Sequence, residues 1–298
     1  MKKQIRKAVF PVAGRGTRFL PATKAVPKEM LPLVDRPLIA YGVEEALRSG
    51  IEEIIFVTAP GKEAIVEHFT ADPALIRSLE DSGKMSLARQ VEREMLPKSR
   101  IHVTLQHEAL GLGHAIWCAR EFVGDEPFAV ILPDDVIMSS RPCIAQLIDA
   151  HAKVGGNLAA VMDVPRAETA SYGILDIESE DGRLSRCRGL VEKPAPERAP
   201  STLSIIGRYV LEPSIFDELD KKMVGAGGEI QLTDAMAKSI AHTPFHGLRY
   251  EGRRYDCGKK EGFLEATVAF ALKRHDLAAT MEDIIQTYAQ QLAASAAA

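Results

Sequence analysis

A continuous apolar run, Ala8 to Ala13, and a second strand-like stretch, Ile51 to Val57, bracket a segment of helical spacing that carries Leu38, Tyr41, Ala46 and Leu47. Runs without polar alternation belong to strands buried on both faces. Strand, helix and strand in that order make a βαβ unit. Such a unit demands a parallel sheet and a right-handed crossover. Asp35 or its neighbour is the expected N-cap of the helix, Pro37 suits its first turn, and Gly50 suits its C-terminal cap.

The pattern continues with strands at Ile101–Gln106, Phe128–Leu132 and Leu158–Val164, separated by helices at Gly113–Phe122 and Pro142–Val154. This alternation predicts a doubly wound α/β sheet. Beyond Val164 the rhythm changes. Gly173–Ile177, Arg183–Glu192, Ser204–Leu211 and Pro244–Tyr250 read as strands divided by turn signals rather than by long helices. The fold class expected is therefore α/β: a Rossmann-like doubly wound mixed sheet with an antiparallel extension. Helices at Lys259–Lys273 and Ala279–Leu292 close the chain, with Ala293–Ala298 as a frayed tail.

Composition narrows the function classes. The chain has 298 residues, 46% apolar and 26% charged, which fits an ordinary globular protein read as a single domain. No apolar run approaches the roughly 18 residues of a membrane span, and the N-terminal run is too short for a signal core, so a cytoplasmic protein with no membrane partner is expected. A net charge of −4 argues against a nucleic-acid partner, which needs a basic field. The cysteines Cys118, Cys143, Cys187 and Cys257 are scattered without CxxC spacing and read as reduced thiols.

The first strand runs into Gly14-Arg15-Gly16-Thr17-Arg18, and no periodic pattern resumes until after Pro32. A structureless loop of that length is functional or disordered. Phe19, Leu20, Val26, Met30 and Leu31 anchor it, so it is read as functional. Gly14-x-Gly16 resembles the start of GxGxxG, but position 19 is Phe, and the second strand ends in Val57-Thr58-Ala59 without an acid for a ribose. A dinucleotide fold is disfavoured, and the absence of GK[ST] excludes a Walker loop. What remains is a glycine turn whose N–H groups approach an anion, with Arg18 and Lys28 adding charge; the bland reading is an exposed turn with incidental basic residues.

Acids recur at strand ends, where open α/β sheets bind ligands. Asp134 and Asp135 end a buried strand and suit Mg²⁺ held together with phosphate oxygens, or form a turn pair. Successive residues of an extended chain point opposite ways, so one of the two faces the metal and the other is structural. Glu192 and Lys193 end another strand, as site residues or a plain ion pair. Asp256 precedes the helix near Lys259, as a ligand or a cap. Gln106 ends a strand before Leu110-Gly111-Leu112-Gly113, where its amide can pair with the edge of a base or satisfy the backbone.

The ordered set Gly14-x-Gly16-Thr17-Arg18, Pro21-Ala22-Thr23-Lys24, Pro27-Lys28-Glu29-Met30-Leu31-Pro32, Leu110–Ala115, Leu132–Asp135, Tyr172-Gly173, Val191–Pro194 and Glu229–Asp234 resembles the sugar-nucleotidyltransferase family over nearly the whole chain. The resemblance lies closest to members that use UTP and glucose 1-phosphate and give UDP-glucose and pyrophosphate. Members using dTTP, and a non-catalytic regulatory paralogue, are the alternatives. It implies that the backbone of Ala13 and Gly14 and the amide of Gln106 read uracil, with Gly111 packed against the base. Arg18 and Lys28 would hold the nucleotide phosphates beside Gly16 and Thr17, and Lys193 the sugar phosphate. Gly173, Glu192 and Gly207 would contact the sugar, Asp135 would join the substrate-binding set, and Asp134 with Asp256 would share Mg²⁺. It also implies a nucleotide-binding half at 1–164, a sugar-binding half at 165–258, and C-terminal helices at 259–292 that assemble a homodimer or homotetramer.

Overall fold

The computed structural model describes residues 3–297. Its strands are β1 (Lys7–Pro11), β2 (Pro32–Leu33), β3 (Arg36–Pro37), β4 (Glu53–Thr58), β5 (Ile101–Leu105), β6 (Phe128–Ile131) and β7 (Asp135–Met138). They continue as β8 (Asn157–Asp163), β9 (Gly173–Asp181), β10 (Leu184–Glu192), β11 (Leu203–Leu211), β12 (Phe245–Arg249) and β13 (Arg253–Asp256). Nine of them form one sheet in the order β5-β4-β1-β6-β11-β8-β12-β10-β9. β1 pairs in parallel with β4 and β6, and β4 with β5. β11 runs antiparallel to both β6 and β8, and β10 antiparallel to β12 and β9. The sheet is thus mixed, with the antiparallel part built from the segments where the sequence rhythm changes.

Both faces of the sheet are covered, which is why β1 lacks polar alternation. Val9, Val130 and Tyr209 pack on one face with Ile116 and Met236 of the helices Leu112–Cys118 and Leu232–Ser239. Ala8, Phe10 and Ile131 pack on the other with Val43 and Leu147 of the helices Leu38–Arg48 and Cys143–Val154. Each fully buried side chain of the size of Phe10 stabilises the fold by about 1.5–3 kcal/mol.

Three local features differ from the sequence reading. The helix Leu38–Arg48 has Pro37 at its N-cap and no side-chain cap, because Asp35 lies in the β2–β3 turn and pairs with Arg274 at 2.6 Å. Ala278–Ala297 is one helix, so Ala293–Ala297 is not a frayed tail; alanine has the highest helix propensity. Ala298 lies outside the described residues. Finally, β7 and β13 form an antiparallel pair in which Asp135 stands opposite Asp256, held to the helix Lys260–Lys273 by Val136, Tyr255 and Ala266. Among the described residues no helix is long and apolar enough to cross a membrane.

Candidate active site

The opening loop is three short 3₁₀ turns, Thr17–Phe19, Ala22–Lys24 and Lys28–Met30, folded over the C-terminal end of β1. Gly16 has φ 64°, and a Cβ there would lie 3.0 Å from Lys28 Cβ, so both conformation and packing require glycine. Thr23 donates to the Gly16 carbonyl at 2.7 Å and fixes the turn. Gly14 differs: a Cβ would meet only Lys28 Cε, at 4.0 Å, so the protein's own packing does not demand glycine there. The room it leaves opens into a cleft of about 380 Å³ lined by Ala13, Gly14, Lys28, Gln106, Gly111 and Asp134.

Gln106 is buried at the edge of this cleft. Its Nε2 donates to the Gly111 carbonyl at 3.0 Å and lies 3.1 Å from His114 Nδ1. Gly111 has φ 99°, and a Cβ would lie 2.7 Å from Glu229 Cβ. The reason is a reciprocal backbone clasp: Ile230 N–H donates to Leu110 O at 2.7 Å and Gly113 N–H to Ile230 O at 2.8 Å. The Leu110–Ala115 and Glu229–Asp234 stretches are therefore one structural unit.

A second cleft, of about 520 Å³, is lined by Arg18, Gly173, Glu192, Lys193, Gly207 and Asp256 among others. Strand register sets Glu192 opposite Gly173, and a Cβ at Gly173 would lie 3.3 Å from Glu192 Oε2. Lys193 has φ 46°, an uncommon region for a residue with a side chain. Its N–H donates to Tyr172 O at 2.9 Å, and its half-exposed ammonium lies 3.2 Å from Glu192. Gly207 is glycine because a Cβ would lie 2.6 Å from that of Leu132.

The acids divide by direction. Asp134 Oδ2 is bound by Lys28 Nζ at 2.6 Å. Burial raises its pKa, but Lys28 prevails and holds the carboxyl below its ordinary range. Burial likewise opposes the Lys28 charge, and Asp134 more than offsets it. Asp135 points the other way: it accepts from Gly207 N–H at 2.7 Å and from Arg254 Nε at 2.8 Å. Burial raises its pKa against the pull of Arg254. Asp256 Oδ1 accepts from Gly258 N–H at 3.2 Å. A Cβ on Gly258 would lie 3.0 Å from Asp134 Oδ2 and 3.1 Å from Asp256 Oδ1, so glycine keeps open the gap where these carboxylates converge. Two hard oxygen donors beside an anion cleft fit a Mg²⁺-type ion, which takes few protein ligands. Arg18 reaches the same place, 3.4 Å from Gly258 O, while Thr17 is exposed in the first 3₁₀ turn.

The structure thus gathers Ala13, Gly14, Lys28, Gln106 and Gly111 in one cleft, Gly173, Glu192, Lys193 and Gly207 in the other, and Asp134 at their border. Sequence reasoning missed Lys62, Glu29, Arg254 and Arg208. Lys62 bridges Glu29 and two loop carbonyls. Arg208, 1% exposed, forks onto Glu45 and donates to the carbonyls of Leu132 and Gly207, supporting the strand ends from below. Lys62 follows a strand end, which was a usable signal; Arg254 lies on a strand with none.

Against known proteins, residues 7–272 match the family model described as nucleotidyl transferase. The UTP–glucose-1-phosphate uridylyltransferase of Komagataeibacter xylinus is 54% identical over 261 residues, 87% of this chain and 92% of that protein. The same-named protein of Bacillus subtilis is 49% identical over 275 residues, 92% of this chain and 94% of the other. A UTP-bound UGPase structure from Acinetobacter baumannii superposes with TM-score 0.87 at 37% identity, over 95% of this chain and 99% of that one. Glycine turn, clefts and converging acids lie within the matched span, and the chain belongs to the nucleotidyl transferase family.

Proposed function

We propose that this chain transfers the uridylyl group of UTP to glucose 1-phosphate, giving UDP-glucose and pyrophosphate. The observation that carries the reading is the meeting of two clefts at Asp134: Lys28 stands in one, Lys193 in the other, and both clefts share Leu112, Leu132 and Glu229. The names of the relatives at 49–54% identity support UTP over dTTP. In this reading Ala13, Gly14 and Gln106 receive uracil above Gly111. Gly16 shapes the turn, and Arg18 and Lys28 hold the nucleotide phosphates. Gly173, Glu192 and Gly207 receive the hexose, and Lys193 its phosphate. Asp135 sets Gly207 in place through its own hydrogen bond.

The sugar-phosphate oxygen is already a charged nucleophile, so no general base is required. The obstacle is repulsion between two polyanions, about 4 kcal/mol for a pair of unit charges 4 Å apart at an effective dielectric of 20. Arg18, Lys28 and Lys193 offset it and hold the reactants in line. Asp134 and Asp256 would hold a Mg²⁺ ion, which when bound would supply Lewis-acid stabilisation of charge. Residues 1–164 and 165–258 are the nucleotide and sugar halves of one domain. The C-terminal helices, with Leu264, Tyr288 and Leu292 exposed, assemble a homo-oligomer of this cytoplasmic enzyme.

The test is pyrophosphate release with UTP and dTTP against glucose 1-phosphate and galactose 1-phosphate. UTP with glucose 1-phosphate is expected to give the highest kcat/KM. Preference for dTTP would replace the nucleotide assignment, and release with none of the four pairs would refute the reaction.

A further inference from the structure

Past the end of β1, the carbonyls of Val12 and Gly14 both accept from one ammonium, that of Lys62, which arrives from the turn after β4. The third donor goes to Glu29 Oε2 at 2.9 Å. All three N–H groups of the lysine are used, and the pair is enclosed: the Lys62 side chain is 11% exposed and that of Glu29 1%. A trans peptide holds its C=O and N–H pointing opposite ways. Tethering the Val12 carbonyl therefore fixes the direction of the Ala13 N–H, and tethering the Gly14 carbonyl fixes that of Arg15. Neither N–H has a hydrogen-bond partner among the described residues, and Ala13 and Arg15 line the smaller cleft.

We propose that Lys62 is a positioning residue for nucleotide binding. Its ammonium sets the pitch of the glycine turn so that two backbone donors face the nucleotide, and Glu29 is its buried counter-charge. Glu29 also ties the clamp to the far end of the same loop, one residue from Lys28, so one ion pair holds both flanks of the cleft. The second Glu29 oxygen, Oε1, is buried without a partner, a cost an apolar anchor would avoid. Burial lowers the Lys62 pKa, and Glu29 opposes that shift in favour of the charged ammonium. The inference rests on the cleft being the nucleotide site.

Lys62→Met alone leaves Glu29 buried without its counter-charge, which destabilises the fold whatever Lys62 does for the ligand. The informative protein is therefore Lys62→Met combined with Glu29→Gln. Calorimetry with UTP in Mg²⁺, KM for both substrates and the melting temperature are measured beside the parent. The double variant is expected to melt near the parent, to bind UTP about 10–100-fold more weakly, and to keep its KM for glucose 1-phosphate. Lys62→Arg keeps Glu29 paired but brings a flat fork, and is expected to fall between the two. Should the double variant not fold, Lys62→Arg carries the test. Parent-like UTP affinity in whichever variant folds, or equal losses for both substrates, overturns the proposal. A parent that binds no UTP refutes the nucleotide reading instead.

Discussion

Replacing Arg254 with methionine is the sharpest test of how the larger of the two clefts is built. The guanidinium lies 2.6 Å and 2.8 Å from Asp135 Oδ1, with the two side chains 10% and 9% exposed. It also reaches Tyr172 Oη at 3.3 Å. Without it, Asp135 stays buried beside Asp134, with the Gly207 N–H as its remaining hydrogen bond. Breaking a buried pair in this way costs about 3–5 kcal/mol. At about 2–4 °C per kcal/mol for a chain of this size class, the melting temperature should fall by about 10 °C at pH 8.

The pH dependence carries the cause. In the parent, burial already raises the Asp135 pKa, so the folded chain retains this proton to higher pH than the unfolded chain. Stability from that group is complete below the unfolded value of about 3.9 and declines as pH rises through the folded value. Loss of Arg254 moves the folded value further up. The deficit relative to the parent must therefore shrink as pH falls from 8 towards 5. Adding Asp135→Asn to the variant removes the charge, leaves an acceptor for Gly207, and should recover most of the loss. Scanning calorimetry of the three proteins at both pH values decides the matter. A deficit under about 2 °C at pH 8, or one independent of pH, refutes this account of Asp135.

Two further outcomes follow from the catalytic assignment. Lys193→Ala should lower turnover in a coupled pyrophosphate assay by about two orders of magnitude or more, because it removes the cation assigned to the sugar phosphate. Its melting temperature should stay near the parent's, since the ammonium is half exposed and holds only Glu192. Metal removal with EDTA should abolish turnover and Mg²⁺ should restore it; full activity in EDTA would take Asp134 and Asp256 out of the chemistry.

What could be read from the sequence was whatever leaves a local mark. Buried runs mark β1, β4 and β6; the ends of β1 and β6 placed Gly14 and Asp134 where the clefts lie, and the end of β5 placed Gln106 there. The change of rhythm after Val164 marked the antiparallel part. Hidden features depend on partners distant in the chain. β7 and β13 are four residues each, too short for periodicity, and find one another only in three dimensions. Arg254 gains its meaning from Asp135, and nothing in its own neighbourhood says so; Lys62 follows a strand end, but its role depends on Glu29. Asp35 has the residue type of a helix cap, but the turn holding it aims the carboxylate at Arg274.

The position of β11 bears on how such a chain is made. β6 lies between β1 and β11, and all four of its residues are fully buried. While the chain is being synthesised, β6 is complete long before β11 leaves the ribosome. Until then it presents an unpaired, wholly apolar edge, the kind that recruits strands from other molecules. β8 waits as well, since both its neighbours, β11 and β12, come later. A fragment ending between the two halves would keep that edge permanently open. The sheet does not divide near residue 164, and a nascent chain has to be shielded until the returning strand arrives.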